Sequence, residues 1–574
     1  MGAPARRLAI GAALAIIIGT GVARIAATHR EYAATADETQ HIAAGIEWIR
    51  GSFDLWRAQK LWHVIGNPPV ARIAVGLGPY LAGVRDTRLR DVLYDGPGYV
   101  DNLQSARRGI LPFFAALVLL TWWLARRTWG EGAGLAAAAA VSTLPPVLAH
   151  AGVATTDVAA AAMYMLTLLQ LLRWFERPGL GRAAALGLAF GLAFATKMSV
   201  TTLLPGALVI AFHRNRTERT PLGPPRTALA GQLALAAVGA GLVAWAAYRF
   251  SFGRPDEIAD PETLRYLVDH CAAGTTSRRL ITAFLHVPMP APQIADGMLV
   301  LCDTNAPGMS TSYLLGRITQ NGFPLFFPFT LLVKTPLPFI ALVTLGIRAA
   351  VRDTSPQRWR RLGPGLVALT VLVSVLSSRI NIGVRHVLQM YPLLAIYVGP
   401  GLASLWHAAR PRLGRALAVA LGAWQLAIPA LAAPDYLPWF NALAGRHPEN
   451  LLLDSDLDWG QDLLRLERVL AERGVKHMSI AYFGASDLCR HNLPPGRWLR
   501  PYERVTGTVV ISEMYRKGVA GPFYRDGNYC DRDQLTREAH PDYDQYKWLD
   551  AYQPVARVGA SILIYEIPAD ERTP

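Results

Sequence analysis

Charge is what this chain has too little of: Asp, Glu, Lys and Arg make up 17% of its 574 residues, against about a quarter in soluble proteins of ordinary composition. The deficit is local. Ala/Leu/Val-rich blocks recur from Leu8 to about Ala433, and several reach the roughly 20 apolar residues that a 1.5 Å rise per residue needs to cross a bilayer. After Pro434 the composition is that of an ordinary soluble domain, so a wholly soluble protein is excluded. Acidic residues are the scarcer sign, 42 against 57 Lys and Arg, for a formal charge of +15. A basic chain can mean nucleic acid, but these arginines sit in short clusters beside apolar blocks. That is the positive-inside bias of membrane proteins, and a nucleic-acid partner is excluded.

Arg6 and Arg7 before the first block hold the N-terminus in the cytosol, unless the block is a cleaved signal peptide ending near Ala26 and Ala27. Later blocks close on cytosolic basic clusters: Arg126 and Arg127, Arg173 and Arg177, the run His213–Arg219, Arg348 to Arg361, and Arg410 to Arg415. The blocks number about eleven. The expected fold is therefore a polytopic α-helical membrane protein, N-terminus in and C-terminus out, with a small α/β extracytoplasmic C-terminal domain. Residues 1–434 form the transmembrane part, with exported loops at about 27–108 and 251–323, and residues 435–574 form the outer domain. In that domain a helix is expected over about Trp459–Glu472, with strands near Ser479–Phe483, Thr508–Ser512 and Ser561–Glu566.

Cysteine is nearly absent, and all four residues, Cys271, Cys302, Cys489 and Cys530, fall in segments assigned to the outer side. Confinement to an oxidising compartment points to disulfides. Three connectivities are open, and the local pairs Cys271–Cys302 and Cys489–Cys530 are preferred over four unpaired thiols because each closes within one exported segment.

The first exported loop carries Asp37, Glu38 and His41 ahead of an apolar stripe at Ile42, Gly45, Ile46 and Ile49, a spacing that suits an amphipathic helix on the membrane surface. Asp37 and His41, four apart, share a face, whereas Glu38 points roughly 100° away. Only one of the two carboxylates can act on a given atom. A plain alternative is a capping box, Asp37 with Gln40; a carboxylate–histidine metal pair is another, but two ligands are not a site. Asn67-Pro68-Pro69 with Arg72 makes a rigid turn before a further apolar stretch, Asp157 opens a span from the outside, and Lys197 lies at an outer turn. Lys334-Thr335-Pro336 interrupts an apolar block, and Arg385-His386 opens the tenth. Ionisable residues in such places usually face a cavity, and outer cations with one carboxylate cluster suit an anionic ligand dwelling in the membrane. In the C-terminal domain Asp454, Asp456 and Asp458 are spaced like a calcium loop, but Trp459 stands where glycine is needed and Arg465 where glutamate is. Asp458 with Gln461 reads instead as a helix cap.

Taken in order, Asp37-Glu38 with His41, Asn67-Pro68-Pro69, Thr156-Asp157, Lys197, Lys334-Thr335-Pro336, Gly383-Val384-Arg385-His386 and Asp454-Ser455-Asp456-Leu457-Asp458-Trp459-Gly460-Gln461-Asp462 resemble the membrane glycosyltransferase C superfamily. The similarity is nearest to its protein O-mannosyltransferase and aminoarabinose-transferase branch. The resemblance implies an inverting transferase that takes a sugar from a polyprenyl-phosphate sugar donor to an acceptor hydroxyl, of protein or of lipid or glycan, on the extracytoplasmic side of the cell inner (plasma) membrane. By it Asp37 matches the general base, its pKa raised through burial to suit the task. Glu38, His41, Asp157 and Arg72 would bind substrates. Arg385, with His386, Lys197 and Lys334, would hold the lipid phosphate, a task for which arginine's forked donors are well made. No metal or other cofactor is implied. The eukaryotic lumenal insert is missing, because the segment near 251–323 is too short for it. The rival is a transporter or flippase of a lipid-linked saccharide, but such folds show internal repeats, and none is visible.

Overall fold

The structure is a computed structural model that describes residues 3–51, 67–218, 226–258, 261–520, 523–525, 528–530, 535–537 and 543–569. Arg219, at the end of the expected basic run, lies outside them. The chain is a polytopic helical membrane protein. Every one of the apolar blocks is helical, from Ala3–Thr28 to Pro411–Ala432. Among the described residues, five helices are long and apolar enough to cross a bilayer, or up to seven if each of two bent pairs counts as one span. Two further apolar helices, Leu180–Phe194 and Met390–Trp406, are shorter. Length and composition thus qualify fewer spans than the eleven blocks expected.

The breaks have local causes. Thr335 precedes Pro336 and is extended (φ −99°, ψ 133°), since a residue before proline is pushed out of the helical region. Helices Phe326–Lys334 and Leu337–Arg352 consequently meet at 112°. The carbonyls freed at the bend are taken by Asn441, whose amide donates to Leu332 and Thr335 at 2.6 and 2.7 Å. Pro145 and Pro146 likewise start a new helix, set at 63° to Glu131–Val141.

Outside the spans, helix Glu38–Arg50 packs on helix Pro69–Leu81. The two backbones approach so closely at Gly45 and Gly76 that a Cβ on either would strike the other's main chain. The C-terminal region is built on a five-stranded mixed sheet of β1 (Met478–Ala481), β2 (Gly496–Trp498), β3 (Gly507–Ser512), β4 (Ala556–Val558) and β5 (Ile562–Ile567), in the order β4-β5-β3-β1-β2. The β1–β2 and β1–β3 pairs are parallel and the other two antiparallel. Val510 sits centrally, opposite Ile480 on one side and Ile564 on the other. The helix before β1 runs Leu463–Glu472, later than expected, because the Gln461 side chain bonds back to the Trp459 amide at 2.9 Å instead of capping. Its core of Leu463, Leu466, Leu470, Ile480, Val509 and Ile564 also includes Ala33 from the first exported segment, so the sheet region and the membrane helices are packed together.

Both local disulfides form: Cys271–Cys302 with Cα atoms 5.8 Å apart and Cys489–Cys530 with 5.1 Å.

Candidate active site

Asp37 stands at the N-cap of helix Glu38–Arg50, but its side chain makes no capping bond. The capping-box reading is therefore corrected. The neighbouring Glu38 takes over that duty: its carboxylate accepts from the Thr35 amide at 2.8 Å and the Ala154 amide at 2.7 Å. It also accepts from Arg107 through Nε and Nη2, both at 2.8 Å. Both side chains are fully buried. Burial pushes the Glu38 carboxyl up, but the Arg107 charge and hydrogen bonds outweigh it and hold it below the usual range. With its lone pairs so occupied, Glu38 ties three segments together and offers nothing to a substrate; the expected substrate-binding role does not fit its surroundings.

Asp37 is free of the backbone and reaches across the fold instead. Its Oδ2 pairs with Arg385 Nη1, 348 residues away, and it keeps 26% of its side-chain surface exposed. Burial raises its pKa, but the Arg385 charge and its hydrogen bond hold the carboxyl below the ordinary carboxylate range. This corrects the expectation of a raised pKa: at Asp37 the cation beside the carboxylate outweighs its desolvation.

Arg385 lies in a short 3-10 turn, Val384–Val387, that follows Gly383. Glycine is required there, with φ +129° and no room for a Cβ beside Ser455 Oγ. The guanidinium lies 4.4 Å from the Trp459 ring centroid. Its Nε is buried and has no hydrogen-bond partner among the described residues. His386 is half-buried, and burial and then the Lys197 and Arg385 charges drive its imidazole well below its ordinary pKa, so it is neutral.

The other expected residues divide. Lys197 Nζ pairs with Asp157 Oδ1 at 2.6 Å, and Asp157 Oδ2 accepts from Thr155 at 3.1 Å. His41 Nδ1 accepts from Arg72 Nε at 3.3 Å; burial and then the Arg72 charge push its pKa down to about 3. It is thus a neutral imidazole with its Nε2–H available. Lys334 goes elsewhere. It donates to the carbonyls of Leu437 and Asp456 at 2.8 and 2.7 Å and stands 4.2 Å from the Phe440 centroid. Two of its three N–H donors therefore close the seam between the bent helix and the C-terminal loop, surroundings that do not suit the phosphate-holding role expected of it. Among the described residues no three His, Cys, Asp or Glu are grouped to hold a metal ion. Asp456 and Asp458 accept from the Val384 and Met514 amides, not from one point.

Residues 102–245 match the family described as dolichyl-phosphate-mannose-protein mannosyltransferase. No curated protein matches by sequence. Among solved structures, ArnT from Cupriavidus metallidurans bound to undecaprenyl phosphate is similar at 12% identity and a TM-score of 0.48, over 96% of this chain and 97% of that one. The archaeal oligosaccharyltransferase AglB from Archaeoglobus fulgidus, in complex with an inhibitory peptide and a dolichol-phosphate, is similar at 13% identity and a TM-score of 0.42, over 75% and 54%.

Three residues of this region were not picked out from the sequence. Arg107 is one of an arginine pair at the very end of the first exported loop, with nothing in its local pattern to mark it. His150 is buried, its Nδ1 unpartnered among the described residues and its ring 5.9 Å from that of Trp459; the only signal was a lone histidine at the end of an apolar block. Trp459 could be read as one aromatic among fifteen tryptophans.

Proposed function

We propose that the protein is an inverting glycosyltransferase that moves a sugar from a polyprenyl-phosphate carrier to an extracytoplasmic hydroxyl, as a multi-pass protein of the plasma membrane. The observation that carries this reading is the partly buried Asp37–Arg385 pair, in which the arginine still has an unused Nε–H. The acceptor oxygen attacks the anomeric carbon from the face opposite the phosphate. Its proton passes to the Asp37 carboxylate, and the anomeric C–O bond breaks with its electron pair leaving on the lipid phosphate. A phosphate is a good leaving group and needs no general acid, only a counter-charge; Arg385 supplies it bidentately with Lys197 as a second cation. Arrival of the phosphate at Arg385 also draws the guanidinium away from Asp37, so the carboxylate gains basicity when the donor is in place. Asp157, paired to Lys197, and neutral His41 orient the substrates. The family match over residues 102–245 supports the donor class.

Two broken helices are also a feature of transporters, which keeps the flippase reading as the rival. Sugar transfer by the purified protein in detergent, with a polyprenyl-phosphate sugar and no second leaflet, decides between them. Transfer that is lost in Asp37→Asn supports the enzyme; a protein that only moves the lipid across vesicles overturns it.

A further inference from the structure

The loop that precedes the C-terminal sheet touches both halves of the proposed site. Its Trp459 carbonyl accepts from the amide of Ala36, next to Asp37, at 3.1 Å, and its Gln461 carbonyl accepts from Ala33 at 2.8 Å. On the other side Asp456 Oδ1 accepts from the Val384 amide at 3.1 Å, and Ser455 Oγ donates to the Ile382 carbonyl. One loop thus binds the main chain beside the carboxylate and the main chain beside the arginine. Between them stands the indole of Trp459, 1% exposed, with the Arg385 guanidinium against it.

We propose that Trp459 is a positioning residue through which the C-terminal domain aims Arg385 at the donor phosphate; this rests on the reading of Arg385 as the phosphate-holding cation. An arginine has four side-chain torsions to fix, and its fork recognises phosphate only in its own plane. The indole face, the strongest of the aromatic partners for a cation, fixes that plane. Nη1 is then directed to Asp37, and Nε is left buried with no hydrogen-bond partner among the described residues. A tryptophan that served packing alone would not need a loop that registers both residues of the pair. The segments that connect the membrane helices carry the reacting groups, and the C-terminal loop sets their geometry.

The test replaces Trp459 in the full-length protein by successively fluorinated tryptophans, which drain the ring's negative face and keep its shape. Binding of undecaprenyl phosphate is measured in the Arg385 protein and in Arg385→Lys. Affinity is expected to fall stepwise with fluorine number, to about tenfold at full substitution, with less than about twofold change in the lysine background. Trp459→Phe should lie between the ends of the series, and transfer turnover should fall in parallel. A flat series, or equal losses in the two backgrounds, overturns the proposal and leaves Trp459 a packing residue. The underlying reading fails separately: if Arg385→Gln binds undecaprenyl phosphate as the natural protein does, the arginine is not the phosphate cation at all.

Discussion

Asp37 and Glu38 are neighbours in sequence, both paired to an arginine, and they live in different chemical worlds. Glu38 has two amide donors and a bidentate guanidinium, with no exposed surface. Asp37 has one contact to its arginine and a quarter of its surface open, 26%. The helix geometry separates them: a rotation of roughly 100° per residue turns one side chain into the packed interior and leaves the other partly exposed. A saturated ion pair holds structure, and an unsaturated one is left with capacity for a substrate.

The comparison breaks most sharply by mutation. Asp37→Asn should lower transfer by about 10²–10⁴-fold, the usual worth of a general base, with unchanged unfolding in a thermal-shift assay. Glu38→Gln should do the reverse. It leaves Arg107 buried without its charge, a loss of about 3–5 kcal/mol, read as low yield and a lowered unfolding midpoint. Because the folded Glu38 carboxyl lies below its ordinary value, its contribution is fully present above the unfolded pKa near 4.5 and is lost as pH falls through the folded one. Acid should therefore destabilise the natural protein, and the Gln variant should lack that limb.

Breaking the disulfides comes next. Separations of 31 and 41 residues make each worth about 3–4 kcal/mol by the loop-entropy argument. Alkylation after reduction should show two pairs, and Cys271→Ser with Cys302→Ser should lower the unfolding midpoint without changing donor binding. Lys334→Met should cost about 1–3 kcal/mol by stranding two buried carbonyls, and undecaprenyl phosphate affinity should change less than about twofold. A large loss of affinity would return Lys334 to the site. The smallest effect sharpens the pair itself: in Arg385→Gln, whose turnover is already low, the acid limb of the remaining activity should move to higher pH, because the cation that holds Asp37 below its ordinary range is gone.

Composition and period were enough for the helical blocks, since burial in lipid demands long apolar runs wherever they occur, and enough for the local disulfides, since short separations limit the partners. The family resemblance singled out Asp37 and Arg385 separately. The broken spans were written in Pro145, Pro146 and Pro336, but the sizes of the bends depend on what receives the freed carbonyls, and Asn441 lies 105 residues beyond Pro336. Lys334, Glu38 and Trp459 were misjudged or passed over for one reason. A charge or an aromatic ring takes its role from the atoms around it, and those atoms come from residues up to several hundred positions away. The sequence by itself determined which segments are apolar and helical and which residue types can do acid–base or phosphate chemistry. Only the tertiary structure decided which of two adjacent carboxylates is spent on the fold and which faces a cation with a hydrogen bond still to give, because that depends on long-range packing and on counting donors and acceptors in three dimensions.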